Sequence, residues 1–382
     1  MFLEGSQPIV VLLCKFRDQS AAEPNPSSFY TDLFAAGTGG LSDYWRQASL
    51  GTIDLDGSAV FGWKTLDIDL ADFIADHPGR ADKINGAIAE FTDVEFADFK
   101  HVVAHFNVGV GDGGSQGNIL CGPTDANATW LAHELGHLFG IEHSFDRSDR
   151  NAETWSQDGE YYDRHDIMSA MGVDADAGHR FSPRGPLLNA PNMARMGWLS
   201  DARIWRPTLK SSHISEVDIV ALGHGEISGY LAAEAGGWIA EFRMPEDFDS
   251  GLGRPTVLFH EFPADPSSVI VAVDETMHDH EWQPGSILWN EFLFNKLGGT
   301  RISVVSFDLA AKKARLRIHC KAFRPPMVDL KTIFGVGLFQ LPIDGKLLVV
   351  KNGKLVPIPV PEPERISPWS ALLQWARFNV LR

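Results

Sequence analysis

Residues 133–143 read His-Glu-Leu-Gly-His-Leu-Phe-Gly-Ile-Glu-His, the pattern H-E-x-x-H-x-x-G-x-x-H with every fixed position filled. It dictates a shape as well as a chemistry. His133 and His137 stand at i and i+4, so a helix puts both imidazoles on one face, one turn apart, within reach of a single ion. Glu134 lies beside the first histidine and can address a water on that ion without ligating it. Gly140 permits a left-handed turn that ends the helix, and the returning chain delivers His143 as third ligand, leaving a fourth position for water. The expectation is one zinc ion held by His133, His137 and His143, with Glu134 as general base for metal-assisted hydrolysis. A bare H-E-x-x-H also occurs as a polar helix face, but the longer pattern arises by chance in such a chain on the order of once in ten thousand.

Composition bounds the alternatives. A chain of 382 residues, 44% hydrophobic and 22% charged, suffices for two ordinary domains and a large core. Its net charge of -17 repels phosphate backbones and anionic lipid, so nucleic acid and acidic membranes are excluded as expected partners. No run approaches the roughly 18 apolar residues of a membrane span. The first residues lack the basic start and long apolar stretch of a secretory signal, which leaves two readings, retention in the cell or export by another route. Cys14, Cys121 and Cys320 have no Cys-x-x-Cys spacing and make neither a disulfide framework nor a thiolate metal site. Cys14 reads as a small buried hydrophobe, and Cys121 is the thiol placed upstream of the histidines. Gly109, Gly111 and Gly114 match G-x-G-x-x-G, yet Gly117, Gly122 and Pro123 follow too closely for a helix to open there, and Asp112 would repel a phosphate. A plain surface loop is expected over 109–117.

The hydrophobic pattern divides the chain into three parts. Residues 1–203 alternate strand and helix signals, with strands at Ile9–Phe16 and Val102–Phe106 and a helix over Arg80–Phe91 whose Ala81, Ile84, Ala87, Ile88 and Phe91 share a face. Residues 204–323 carry short alternating runs, Val217–Leu222, Tyr230–Glu234, Trp238–Arg243, Thr256–Phe262, Val269–Val273, Ile302–Phe307 and Ala314–Cys320, that predict a β-sandwich. Residues 324–382 read as a C-terminal extension, with a hairpin turning at Asn352-Gly353 and a helix from Ser367-Pro368 rich in Trp369, Trp375 and Phe378. The acidic stretches Asp146-Arg147-Ser148-Asp149 and Asp174-Ala175-Asp176 raise calcium as a second cofactor, although neither matches an EF-hand loop and solvated surface is the competing reading.

The histidine motif resembles the signature of the metzincin clan of zinc peptidases, in which a methionine-containing turn lies beneath the metal. Asp166-Ile167-Met168-Ser169 is similar to that turn, with Met168 as the candidate and Met171 as the alternative. The likeness extends to immune inhibitor A-like bacterial metallopeptidases through Leu41-Ser42-Asp43-Tyr44-Trp45, Ser49-Leu50-Gly51, Gly62-Trp63 and Met196-Gly197-Trp198-Leu199, and covers roughly residues 8–320. It implies an α+β metzincin-like catalytic domain, a mixed sheet with a zinc-binding active-site helix, followed by an all-β sandwich-like domain. It also implies endopeptidase activity on protein or peptide substrates, with Glu134 as base and Gly140 and Met168 in support, and it implies secretion. The strand Val102–Phe106 is expected to be the edge that aligns an extended peptide. Two features depart from the pattern: the family's precursors carry a propeptide, whereas the sequence here starts almost directly at the first strand, and no tyrosine stands two residues after Met168. Tyr161 and Tyr162 are expected as surface tyrosines, with substitution for that residue as the competing reading. The alternative function is a zinc-bearing binding or adhesion protein that keeps the peptidase fold without catalysis.

Overall fold

The computed structural model describes residues 3–21, 23–208, 212–262, 268–273, 279–289, 299–321, 348–351 and 354–357. The first half is built on a five-stranded mixed sheet. After a two-residue strand β1 (Gly5–Ser6) comes β2 (Ile9–Phe16), followed by helices α1 (Ser27–Phe34) and α2 (Leu41–Ala48), with β3 (Ile53–Asp54) pairing parallel to β1. Then follow β4 (Ala59–Leu66), α3 (Leu70–Asp76), α4 (Arg80–Glu90), β5 (His101–Phe106), β6 (Gly113–Ser115), β7 (Asn118–Cys121) and α5 (Ala128–Leu138). The sheet order is β4-β2-β5-β7-β6, parallel except for the last pair.

Strand β2 shows why the sheet sits where it does. Its run of apolar residues is buried on both faces, as a central parallel strand requires. Ile9, Val11 and Leu13 enter one core with α2 and α5, while Val10, Leu12, Cys14 and Phe16 enter another with Ile84, Ala87 and Phe91 of α4 and its end. Helices therefore cover both faces. Strand β5 lies between β2 and β7, so it is not the edge expected of it: its apolar run is likewise buried on both sides. The edges are β4 and, on the side of β7, β6, which lies inside the stretch expected to be plain loop. Two glycines in its three residues leave almost no strand signal to read.

Beyond α5 come β8 (Ser144–Phe145) and α6 (Ala190–Arg195), then two four-stranded sheets. One has β9 (Ile204–Trp205), β11 (Ala232–Ala235), β12 (Trp238–Arg243) and β13 (Thr256–Glu261) in the order β13-β12-β11-β9. The other has β10 (His213–Val220), β15 (Ile287–Trp289), β16 (Gly299–Asp308) and β17 (Lys313–Lys321) in the order β10-β17-β16-β15. Between them lie Val217, Ala233, Phe242, Phe259, Ile302, Leu316 and Ile318, one shared core. The segment expected as a sandwich strand at Val269–Val273 bonds to β13, with Ile270 bridging His260 and the Val271 amide on the Phe259 carbonyl at 2.8 Å, while its first residues form β14 (Ser268–Val269), which pairs parallel with β8, back in the first half. The apolar core also crosses the expected boundary at 203/204, since Ile204, Leu222, Leu231, Ile239 and Phe248 belong to the same cluster as α2 and α5. In the C-terminal part β18 (Leu348–Lys351) pairs antiparallel with β19 (Lys354–Pro357), flanking the expected turn at 352–353. The helix expected from Ser367 lies outside the described residues.

Between the halves runs a buried charged network. Arg243 on β12 is fully buried and ion-paired with Glu241 at 2.9 Å and with Asp249, and it donates to the Leu187 carbonyl at 3.1 Å. Glu241 in turn accepts from the Ala190 amide at the start of α6, where Asn189 caps the helix by accepting from the Asn192 amide at 3.0 Å.

Candidate active site

Helix α5 carries the histidine motif and begins at Asn127, whose side chain accepts from the Trp130 amide at 2.9 Å. It ends as its sequence demands. Gly140 takes φ +90°, and the Ile141 amide returns to the Gly136 carbonyl at 2.9 Å, closing the last turn and sending the chain back toward His143. The structure brings His133, His137 and His143 together: Nε2 of His137 lies 3.1 Å from Nε2 of His133 and 2.9 Å from Nε2 of His143.

The other ring nitrogens decide what these contacts mean. Nδ1 of His133 lies 3.0 Å from the Ile167 carbonyl, and Nδ1 of His137 lies 2.9 Å from the Ile141 carbonyl. A carbonyl only accepts, so each Nδ1 carries the proton and donates, and each Nε2 presents a bare lone pair. His143 Nδ1 is held at 2.5 Å by Glu160, which is 6% exposed and also accepts from the Gln157 amide at 2.6 Å. The lone pairs of His133 and His137 thus converge with Nε2 of His143, an arrangement that a cation relieves. Their spacing is near the roughly 3.3 Å edge of a tetrahedral site with zinc–nitrogen bonds of about 2.0–2.1 Å, so the donor set fits zinc. Burial, then the neighbouring His137 and His143, push the His133 pKa down to about 3. Burial followed by His143 lowers that of His137. Both rings are neutral, as ligands must be.

Glu134 is half-buried beside this cluster. Its Oε2 accepts from the Gly114 amide of β6 at 2.7 Å, which joins it directly to the edge of the sheet. Burial raises its pKa above the ordinary carboxylate range, opposed by that hydrogen bond and by Arg80, and raised further by Asp112 and Asp125.

Beneath the ligands lies Met168, fully buried, whereas Met171 is 53% exposed and lies off the site. Any Cβ on Gly136 would stand 2.5 Å from the Met168 sulfur, so the glycine inside the motif is what lets the turn approach the helix so closely. The same turn supplies the Ile167 carbonyl that orients His133. Met168→Leu is expected to keep both fold and metal, losing less than about 1.5 kcal/mol because volume is nearly conserved. Thermal melts with zinc analysis check this, and loss of all zinc would give the sulfur a role beyond packing.

Sequence reading missed three features. Glu160 carries no local signal, since its contact with His143 joins residues 17 positions apart. Gly114 lay in a presumed loop. Tyr161 is not the surface residue expected: it is 5% exposed, its hydroxyl is 3.3 Å from His143 Nε2, and it adopts φ +67°, unusual for a bulky side chain. Tyr162 is directed elsewhere, its hydroxyl on the Asn151 carbonyl at 3.3 Å. Cys121 is buried beside β5, and burial pushes its thiol pKa up, the reverse of what a metal thiolate needs. The acidic stretches read for calcium are engaged in ion pairs, Asp146 with Arg150 at 2.8 Å and Asp176 with Arg184 at 3.3 Å. No family model, curated protein or solved structure matches this chain.

Proposed function

We propose that this chain is a zinc-dependent endopeptidase of the metzincin type that its histidine motif resembles. The observation that carries the reading is the convergence of three imidazole Nε2 atoms, that of His137 lying about 3 Å from each of the other two, with a carboxylate of raised pKa beside them. His133, His137 and His143 would hold the ion, which supplies Lewis acidity to polarise a carbonyl and brings the pKa of water down to about 7. Glu134 works through Oε1, which has no hydrogen-bond partner among the described residues while Oε2 is held by Gly114: it accepts the proton of the attacking water and passes it to the departing amine. Tyr161 directs its hydroxyl into the same space and donates to the oxygen on which negative charge develops. Strand β6 is one of the sheet's two edge strands and its Gly114 amide reaches Glu134, so an extended peptide that lies along this edge passes the base. Among the described residues no helix is long and apolar enough to cross a membrane.

The test is His143→Ala with casein and a peptide library as substrates. One zinc equivalent should be lost on dialysis, with an affinity loss exceeding the roughly 10–100-fold typical of removing an outer partner, and hydrolysis should vanish with it. A wild-type chain that holds zinc in these histidines and cleaves neither substrate would favour the binding-protein alternative.

A further inference from the structure

We propose that His165, Asp174 and Glu281 form a second site, for a divalent transition-metal ion, that ties the loop carrying Met168 to the second half of the chain. One ligand atom from each of the three lies within 4.8 Å of the others. His165 is 3% exposed, and its Nδ1 is buried without a hydrogen-bond partner among the described residues. A buried polar nitrogen left alone is unfavourable, which is the second sign that a ligand belongs here. Burial first, then the charges of Arg243, His280 and Arg164, push the His165 pKa down to about 3, so the ring is neutral with a lone pair to give.

Both carboxylates are oriented from outside. Asp174 is paired with Arg164 through Oδ1, and Glu281 with Arg254 through Oε2, while Oδ2 of Asp174 and Oε1 of Glu281 have no hydrogen bond among the described residues. Each side chain is 19% exposed, enough for entry of an ion and far from full solvation. Ligating carboxylates held by outer hydrogen bonds are the usual arrangement around bound metals. One imidazole with two carboxylates suits zinc or a neighbouring first-row ion, and not calcium, which takes six to eight oxygens.

The three positions come from both halves. The Asp174 amide donates to the Arg164 carbonyl at 2.9 Å, which folds the loop back so that Asp174 stands beside His165, with the Met168 turn between them in sequence. Glu281 precedes Trp282, whose amide and carbonyl exchange hydrogen bonds with Val257 of β13 at 3.0 and 3.1 Å. An ion here fastens the second half to the turn that packs beneath the histidine cluster.

Counting zinc in the full chain tests this. Protein is saturated with zinc, freed of excess by gel filtration and assayed by elemental mass spectrometry. Two zinc ions are expected in the wild type, one in Asp174→Asn/Glu281→Gln, and one in His133→Ala/His137→Ala/His143→Ala. Far-UV circular dichroism checks that each variant is folded. If the double variant unfolds, His165→Gln takes its place, and the residual zinc of the triple variant remains an independent reading. A wild type with a single zinc that the double variant retains overturns the proposal. A single zinc lost in the double variant and kept in the triple variant supports it while overturning the catalytic reading, so the two fail separately.

Discussion

Glu134→Gln should abolish peptide hydrolysis by at least the roughly 10²–10⁴-fold that general acid–base catalysis supplies, with zinc content and melting temperature near wild type. The substitution keeps size and polarity. A glutamine oxygen can still accept from the Gly114 amide, which lies 2.7 Å from Oε2, so the tie to β6 survives. What disappears is the proton acceptor at Oε1. Added zinc should not restore the rate, because the three histidines are untouched. If the variant cleaved casein as fast as wild type, Glu134 would play no part in the chemistry and another base would have to be sought.

The largest effect on stability is expected away from the histidines, at Arg243→Ala. Arg243 and Glu241 have no exposed side-chain area, and Asp249 has almost none. Burial pushes the Glu241 carboxyl upward, but His260 and then Arg243 outweigh it and hold its pKa at about 2. Removing the guanidinium strands two buried carboxylates and the Leu187 carbonyl together, a loss of about 3–5 kcal/mol for breaking such a pair. The exposed pair Arg315–Asp218, 2.7 Å apart, provides the comparison, and its loss should barely move the melt. Equal melting temperatures for Arg243→Ala and wild type would mean that the network is solvated and the halves are held by apolar packing alone.

Much of the architecture was legible where the pattern is local or simple. The run from Ile9 to Cys14 required a strand, and the structure has it over Ile9–Phe16. The helix read at Arg80–Phe91 is present over Arg80–Glu90, its apolar face turned to the sheet. Where the reading went astray, the reason is physical. Val102–Phe106 was expected at the edge, although a continuous apolar run is the mark of a strand buried on both faces, and β5 is such a strand. The edge beyond β7, Gly113–Ser115, is a strand by virtue of its pairing with Asn118–Cys121 and has no propensity of its own to announce it. Val269–Val273 was assigned to the sandwich and its Ile270 and Val271 do bond to β13, but periodicity names a strand without naming all its partners, and its first residues, in β14, also pair with β8.

The sequence alone determined the short-range part of the site: helix α5, the i and i+4 placement of His133 and His137, the left-handed Gly140 and the arrival of His143. Each depends on backbone geometry over a few residues, which spacing encodes. Tertiary structure alone decided which methionine lies beneath, why Gly136 must be a glycine, that Glu160 orients His143, that Tyr161 turns inward, and that His165 meets Asp174 and Glu281. These depend on residues 9 to 116 positions apart being packed together. Close packing selects one side chain among chemically equal candidates, and no local pattern records that choice.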